Sequence, residues 1–127
     1  MSQDINDLLA EVRSGLQRMS PEEARAAVER GDAVLVDIRE EERRRRDGRV
    51  PQAIEIDRNV LEWRGSPGSE WRDERISNPE QTVVVMCDEG YQSSLAAWNL
   101  QRVGLKKATD LDGGFQAWLA AGLPVAF

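Results

Sequence analysis

The sequence contains no histidine and a single cysteine, Cys87. Without histidine, neither Ser–His–Asp nor Cys–His machinery can be assembled, and the commonest protein metal ligand is missing. No metal or other cofactor is therefore expected. One cysteine cannot close a disulfide within the chain; it suits a reducing compartment, so the cytoplasm is the expected location. Long hydrophobic runs are also missing, which excludes a membrane span. Cationic excess is absent too: 17 Lys and Arg stand against 23 Asp and Glu, for a net charge of −6. Phosphate binding needs a basic face, so a nucleic-acid partner is not expected. The opening "MSQDINDLLAEVRSGLQRMS" carries acids within a short apolar periodicity and does not fit a secretory signal.

What remains is a chain of 127 residues, 40% hydrophobic and 31% charged, enough for one core without staples. Ile5, Leu8, Leu9, Val12 and Leu16 recur at three- and four-residue spacing and predict a helix within 4–18. "SPEEARAAVERGD" predicts a second helix, with Ser20 and Glu23 as a capping box, Pro21 in the first turn and Gly31 as the stop. "AVLVDI" at 33–38 is a β-branched run without a helical stripe and reads as a buried strand. "EEE" at 40–42 followed by "RRRRDGR" at 43–49 reads as a solvated helix surface. "AIEI" at 53–56 is a candidate second strand, and the stretch to Gln81 a crossover with helical turns. "TVVVMC", ending at Cys87, is the most strand-like segment; "SSLAAWNLQRVG" is a helix offering Leu95, Trp98 and Val103 to the core. "KKATDLD" predicts a last strand and "GGFQAWLAAGLP" a closing helix stopped by Gly122 and Pro124. Helices alternating with short buried strands predict an α/β fold: a central, mainly parallel sheet with helices on both faces.

In such sheets, sites form at the carboxyl ends of strands, where Cys87 sits. Between that strand and the next helix lies "CDEGYQ". Gly90 permits the positive φ that a tight strand-to-helix loop needs. Such a loop can turn several N–H groups inward above a helix N-terminus, and that cradle favours the thiolate, the nucleophilic form of cysteine. Cys87 is thus either a nucleophile activated without a base, or a small buried hydrophobe.

Three segments in order, "VLVDIREEE" at 34–42, "CDEGYQSSLAA" at 87–97 and "LDGGFQAWLAAGLPV" at 111–125, resemble the single-domain rhodanese-like sulfurtransferase family. The longer N-terminus and "IDRNVLEWR" at 56–64 look like those of its actinobacterial members. The resemblance implies a helical N-terminal extension over residues 1–19 and a rhodanese-like domain over 20–127. It implies a Cys87 persulfide as the catalytic intermediate, a sulfur donor such as thiosulfate or a persulfide, and a thiol acceptor, including a protein thiol, with cyanide as the assay acceptor. Backbone groups of Asp88, Glu89, Gly90, Tyr91, Gln92 and Ser93 would line the sulfur site. The chain departs from the family's pattern in the loop: Gln92 stands where arginine is frequent, and Asp88 where a basic residue often follows the cysteine. Two carboxylates in the loop, Asp88 and Glu89, would weaken binding of a dianion unless they turn to solvent, the orientation expected of charges. Arg58 and Arg64 are the candidates to supply the missing cation, whereas Arg39 is expected to pair with a carboxylate and tie loops together.

A cysteine phosphatase of the Cys–x5–Arg type would need arginine at 93, where Ser93 stands. An arsenate reductase would also need a second, resolving cysteine. Of the tryptophans, Trp98 and Trp118 read as core; Trp63 and Trp71, in the crossover, are candidates to wall the site or form a dimer contact. Two functions stay in view: a sulfurtransferase, and a non-catalytic rhodanese-like module for protein binding or regulation.

Overall fold

The computed structural model describes residues 4–127. Helix α1 (Ile5–Ser14) opens on a capping box in which Asp4 and Asp7 each accept the other's backbone N–H. Leu9, Val12 and Leu16 bury the predicted stripe, while Ile5 at its start stays exposed. Helix α2 (Pro21–Glu29) begins with the Ser20–Glu23 capping box. Strand β1 (Ala33–Asp37) leads to α3 (Glu41–Asp47) and the two-residue strand β2 (Ile54–Glu55). A 3-10 turn (Arg58–Val60) runs into α4 (Leu61–Gly65). Strand β3 (Thr82–Met86) precedes α5 (Gln92–Arg102), and β4 (Ala108–Asp110) precedes α6 (Gly114–Ala120).

The strands form one sheet in the order β2–β1–β3–β4, all parallel. Alternating side chains divide the interior into two cores, as a sheet covered on both faces requires. Val83, Val85 and Cys87 point to the face carrying α1, α4 and α5. Val84 and Met86 point to the face carrying α2 and α6, where Phe115 and Trp118 fill the core. Every side chain of 83–86 is fully buried, each contributing about 1.5–3 kcal/mol of hydrophobic stabilisation. Val12 and Leu16 belong to the same core as Val85 and Leu100.

Two expectations change. On α5 the buried apolar face is Ala96, Ala97 and Leu100; Leu95 and Trp98 pack against that core while partly buried, as expected, but Val103 is exposed. This helix packs against β3, β4, α1 and α4 at once, and small side chains allow that approach. Nor is the arginine run of α3 merely a solvated face. Arg44 is buried, bonded to the Arg39 carbonyl and paired with Glu41 and Glu55, while Arg43 reaches across to Asp88.

Register places the strand ends together. Asp37 lies opposite Met86, and Val85 opposite Asp110, so buried carboxylates flank the last two residues of β3 before Cys87. Beyond β4, Met19 bridges to Leu111 in parallel and accepts from the Asp112 N–H, carrying the segment after α1 along the sheet edge.

Candidate active site

Cys87 follows the last residue of β3, and its sulfur is buried at the head of α5. Two backbone amides are aimed at it: Gly90 N–H donates to Sγ at 3.2 Å and Ser93 N–H at 3.3 Å. Gly90 has φ of +88°, a conformation that side-chain-bearing residues rarely adopt. Of the six loop residues proposed to line the sulfur, these two supply donors to Sγ. Tyr91 is exposed at the loop tip, with the Arg13 guanidinium 5.4 Å from its ring centre. Gln92 opens α5 and accepts a hydrogen bond from Arg58 Nε at 3.2 Å.

The loop is gripped from the other side by α6. Phe115 N–H donates to the Cys87 carbonyl at 2.8 Å and Gln116 N–H to that of Asp88 at 3.0 Å. That contact explains the double glycine in "LDGGF". A Cβ on Gly114 would lie 2.6 Å from the Cys87 carbonyl oxygen and 2.7 Å from that of Asp88, and its φ is +60°. Gly114→Ala is expected to cost roughly 1–3 kcal/mol in backbone strain and overpacking. It should also slow alkylation of Cys87, because relief of the clash has to move the cysteine loop. Urea unfolding and thiol alkylation rates check both effects.

An open cleft of about 540 Å³ gives access to the cysteine. Its walls include Arg39, Arg43 and Arg44 from β1–α3, Asp57 and Arg58 from the 3-10 turn, and Asp88 and Gln92 from the loop. Arg58 is therefore brought to the site, whereas Arg64 is not: its Nη1 donates to the Trp71 carbonyl at 3.2 Å, away from the cleft. Arg58 also arrives neutralised, paired with Glu62 at 2.8 Å. Partial burial works to raise the Glu62 pKa, but hydrogen bonds from Arg58 and Asn99 outweigh it, and the carboxyl sits below its ordinary value. Glu62 is thus ionised at neutral pH.

The two loop carboxylates behave differently. Glu89 is exposed, as expected of a charge. Asp88 instead lines the cleft, accepting from Arg43 Nη1 at 3.1 Å and from Gln116 Nε2 at 3.0 Å. Arg43 was not legible as a site residue, because in the sequence it is one of four successive arginines. Arg39 does tie loops together: it grips Asp37 at 2.9 Å, donates to the Gly48 carbonyl at 2.8 Å and lies 3.7 Å over the Phe115 ring.

Behind the loop stands an assembly that sequence reasoning missed. Asp110, fully buried, accepts from Ser93 Oγ and Ser94 Oγ, each at 2.8 Å, and from Arg18 Nε at 2.9 Å. Burial opposes the Arg18 charge, but Asp110, Asp112 and the neighbouring Cys87 sulfur outweigh it and hold this guanidinium above its ordinary value. Arg18 is 92 positions from Asp110, and the two serines are 17 and 16 from it, so no local spacing could announce the assembly. Trp118 is core, with Nε1–H on the Pro124 carbonyl. Trp63 and Trp71 line a separate groove with Val103 and do not wall the cysteine.

Among the described residues, no group of three or more His, Cys, Asp or Glu is placed to hold a metal ion, and no helix is long and apolar enough to cross a membrane. The arrangement suits a sulfur nucleophile: a thiol at the wall of an open cleft, amide donors for its anion, and a strand end beneath.

Several known proteins are similar to this chain. Thiosulfate sulfurtransferase GlpE of Vibrio cholerae is 31% identical over 102 residues, covering 80% of this chain and 87% of its own length. A Rhodopseudomonas palustris protein of unknown function, described as a possible tyrosine phosphatase, superposes with a TM-score of 0.87. It is 32% identical, and the match covers 98% of this chain and 96% of that one. The human single-domain sulfurtransferase TSTD1 shares the fold at a TM-score of 0.67 and 24% identity, over 81% of this chain and 95% of its own. The family model described as the rhodanese-like domain matches residues 20–121. With the parallel sheet, the cysteine at the strand end and these relatives together, the chain belongs to the rhodanese-like domain family.

Proposed function

We propose that this protein is a sulfurtransferase that carries sulfane sulfur on Cys87. The observation that carries the reading is the pair of N–H donors, from Gly90 and Ser93, converging on Sγ at the head of α5. In the first half-reaction the Cys87 thiolate attacks the outer sulfur of the donor. The donor's S–S bond breaks, sulfite (from thiosulfate) or a thiolate (from a persulfide) leaves with the electron pair, and Cys87 becomes a persulfide. In the second, an acceptor thiolate attacks the terminal sulfur and becomes a persulfide itself, and the Cys87 thiolate is regenerated. Cyanide in the same role leaves as thiocyanate. No external oxidant or reductant is needed, and a lone thiol working in this way suits the reducing cytoplasm.

Cyanolysis tests the proposal. Purified protein treated with donor and freed of excess should hold close to one cyanide-labile sulfur per chain, with a mass gain of one sulfur atom. Wild type that never acquires labile sulfur would leave the fold as a binding module.

The charge pattern of the cleft bears on the donor. Arg58 is paired with Glu62, Arg43 with Asp88, and Arg44 with Glu41. Each cation already faces a carboxylate, so a small dianion finds hydrogen-bond donors but little net positive field. Thiosulfate is accordingly a poor donor, and a low-molecular-weight alkyl persulfide, with its smaller charge, a better one. Steady-state kinetics with both donors are expected to give a thiosulfate KM at least about tenfold higher, the scale of one uncompensated charge at this range. A low thiosulfate KM, unchanged in Arg58→Gln, contradicts that preference.

A further inference from the structure

The two residues whose amides face the sulfur are gripped by the N-terminal segment through their other polar groups, Gly90 by its carbonyl and Ser93 by its hydroxyl. The Gly90 carbonyl accepts from Arg13 Nη2 at 2.7 Å and from Arg18 Nη2 at 2.9 Å. Arg13 Nε also donates to Ser94 Oγ at 3.1 Å. Arg18 grips Asp110 through Nε and Nη2, and Asp110 accepts from the hydroxyl of Ser93, whose N–H is the second donor to Sγ. A guanidinium is a planar fork, so these contacts fix direction as well as distance. They are also planted firmly. Val12 and Leu16, on either side of Arg13, lie in the core that contains Cys87, and Met19, next to Arg18, is bridged to Leu111.

Loop and clamp fit each other physically. Gly90, at φ +88°, has the widest backbone freedom in the loop and is where an unsupported loop would turn its amides away. Two charged donors on its carbonyl remove that freedom. They also attract the negative end of the peptide toward the N-terminal segment. Both arginines lie outside residues 20–121, the stretch that carries the family likeness.

We propose that Arg13 and Arg18 are positioning residues of the sulfur site: they hold Gly90 directly, and Ser93 through Asp110, with both N–H groups aimed at Cys87. The division into an extension over 1–19 and a domain over 20–127 then does not apply to function, because the extension completes the site. The inference deepens the sulfurtransferase reading and rests on it for its effect on turnover, but its effect on the thiol is independent of that reading.

Because Cys87 is the only cysteine, its alkylation by iodoacetamide at neutral pH reads the loop without ambiguity. Arg13→Gln, and Arg18→Gln combined with Asp110→Asn so that no buried charge is left unpaired, should each slow alkylation about tenfold, the scale of losing hydrogen bonds from a charged donor. Sulfur-transfer kcat should fall by a similar factor with KM within about twofold, since neither arginine is placed to touch substrate. Arg13→Lys, which returns a cation to the Gly90 carbonyl, should recover most of the loss. Arg25→Gln, an exposed charge removal on α2, should leave both rates at the wild-type value. A merely structural role gives a different result: a lower melting temperature with wild-type alkylation of the folded protein, and that outcome overturns the proposal. Should the Arg18 double variant not fold, Arg13→Gln decides alone. Variants that slow alkylation in a protein that never accepts sulfur keep the clamp and reject the transfer function.

Discussion

Cys87→Ser is expected to reduce cyanide-labile sulfur to the blank and the sulfur-transfer rate by at least about a thousandfold, while the protein stays folded. A serine hydroxyl is not ionised near neutral pH and forms no persulfide. No other thiol can take over, because the chain holds no second cysteine. Retention of the fold follows from the site itself. The side chain is small and buried, the substitution keeps its shape, and the Gly90 and Ser93 amides keep an acceptor, now oxygen in place of sulfur. Cyanolysis, a coupled transfer assay and a urea melt on the same preparation separate loss of chemistry from loss of structure. Transfer surviving in the serine variant at more than a tenth of the wild-type rate would remove Cys87 from the mechanism.

Arg39→Ala is expected to produce the largest loss of stability, about 3–5 kcal/mol, against the 5–15 kcal/mol typical of a domain. The Arg39 and Asp37 side chains are 1% and 0% exposed. Truncation leaves a buried carboxylate that retains a single backbone donor, the N–H of residue 39. It also uncovers the Phe115 ring and frees the Gly48 carbonyl. The cost is that of stranding a charge rather than the net worth of the pair, since two well-packed apolar residues can replace a buried ion pair with little loss. Arg39→Leu with Asp37→Leu should therefore be less destabilised than Arg39→Ala alone. Urea midpoints of the three proteins measure this; an Arg39→Ala variant within about 1 kcal/mol of wild type would mean that water reaches Asp37.

Much of the architecture was legible from local patterns. Ser20, Pro21 and Glu23 announce the start of α2, and the β-branched runs at 33–38 and 82–87 announce two central strands. The cysteine loop was legible as well, because a strand, a cysteine, a glycine and a helix start succeed one another within a few residues. Arg58 and Arg64 could not be told apart: they differ by six positions in a crossover whose path depends on packing, and only Arg58 turns toward the cleft. Gly114 was visible only as part of a motif, and its reason is the close approach of α6 to the Cys87 carbonyl.

The sequence by itself determined the parallel sheet, the succession of helices and strands along the chain and the placing of a cysteine at a strand end, because periodicity, capping and turn chemistry act over a few neighbouring residues. Which distant charges meet was decided by the tertiary structure alone. Arg43 finds Asp88 across 45 positions, and Arg18 finds Asp110 across 92. Such partners are selected when parallel strands bring their carboxyl ends to one edge and remote segments are packed around it, and no spacing along the chain records that edge.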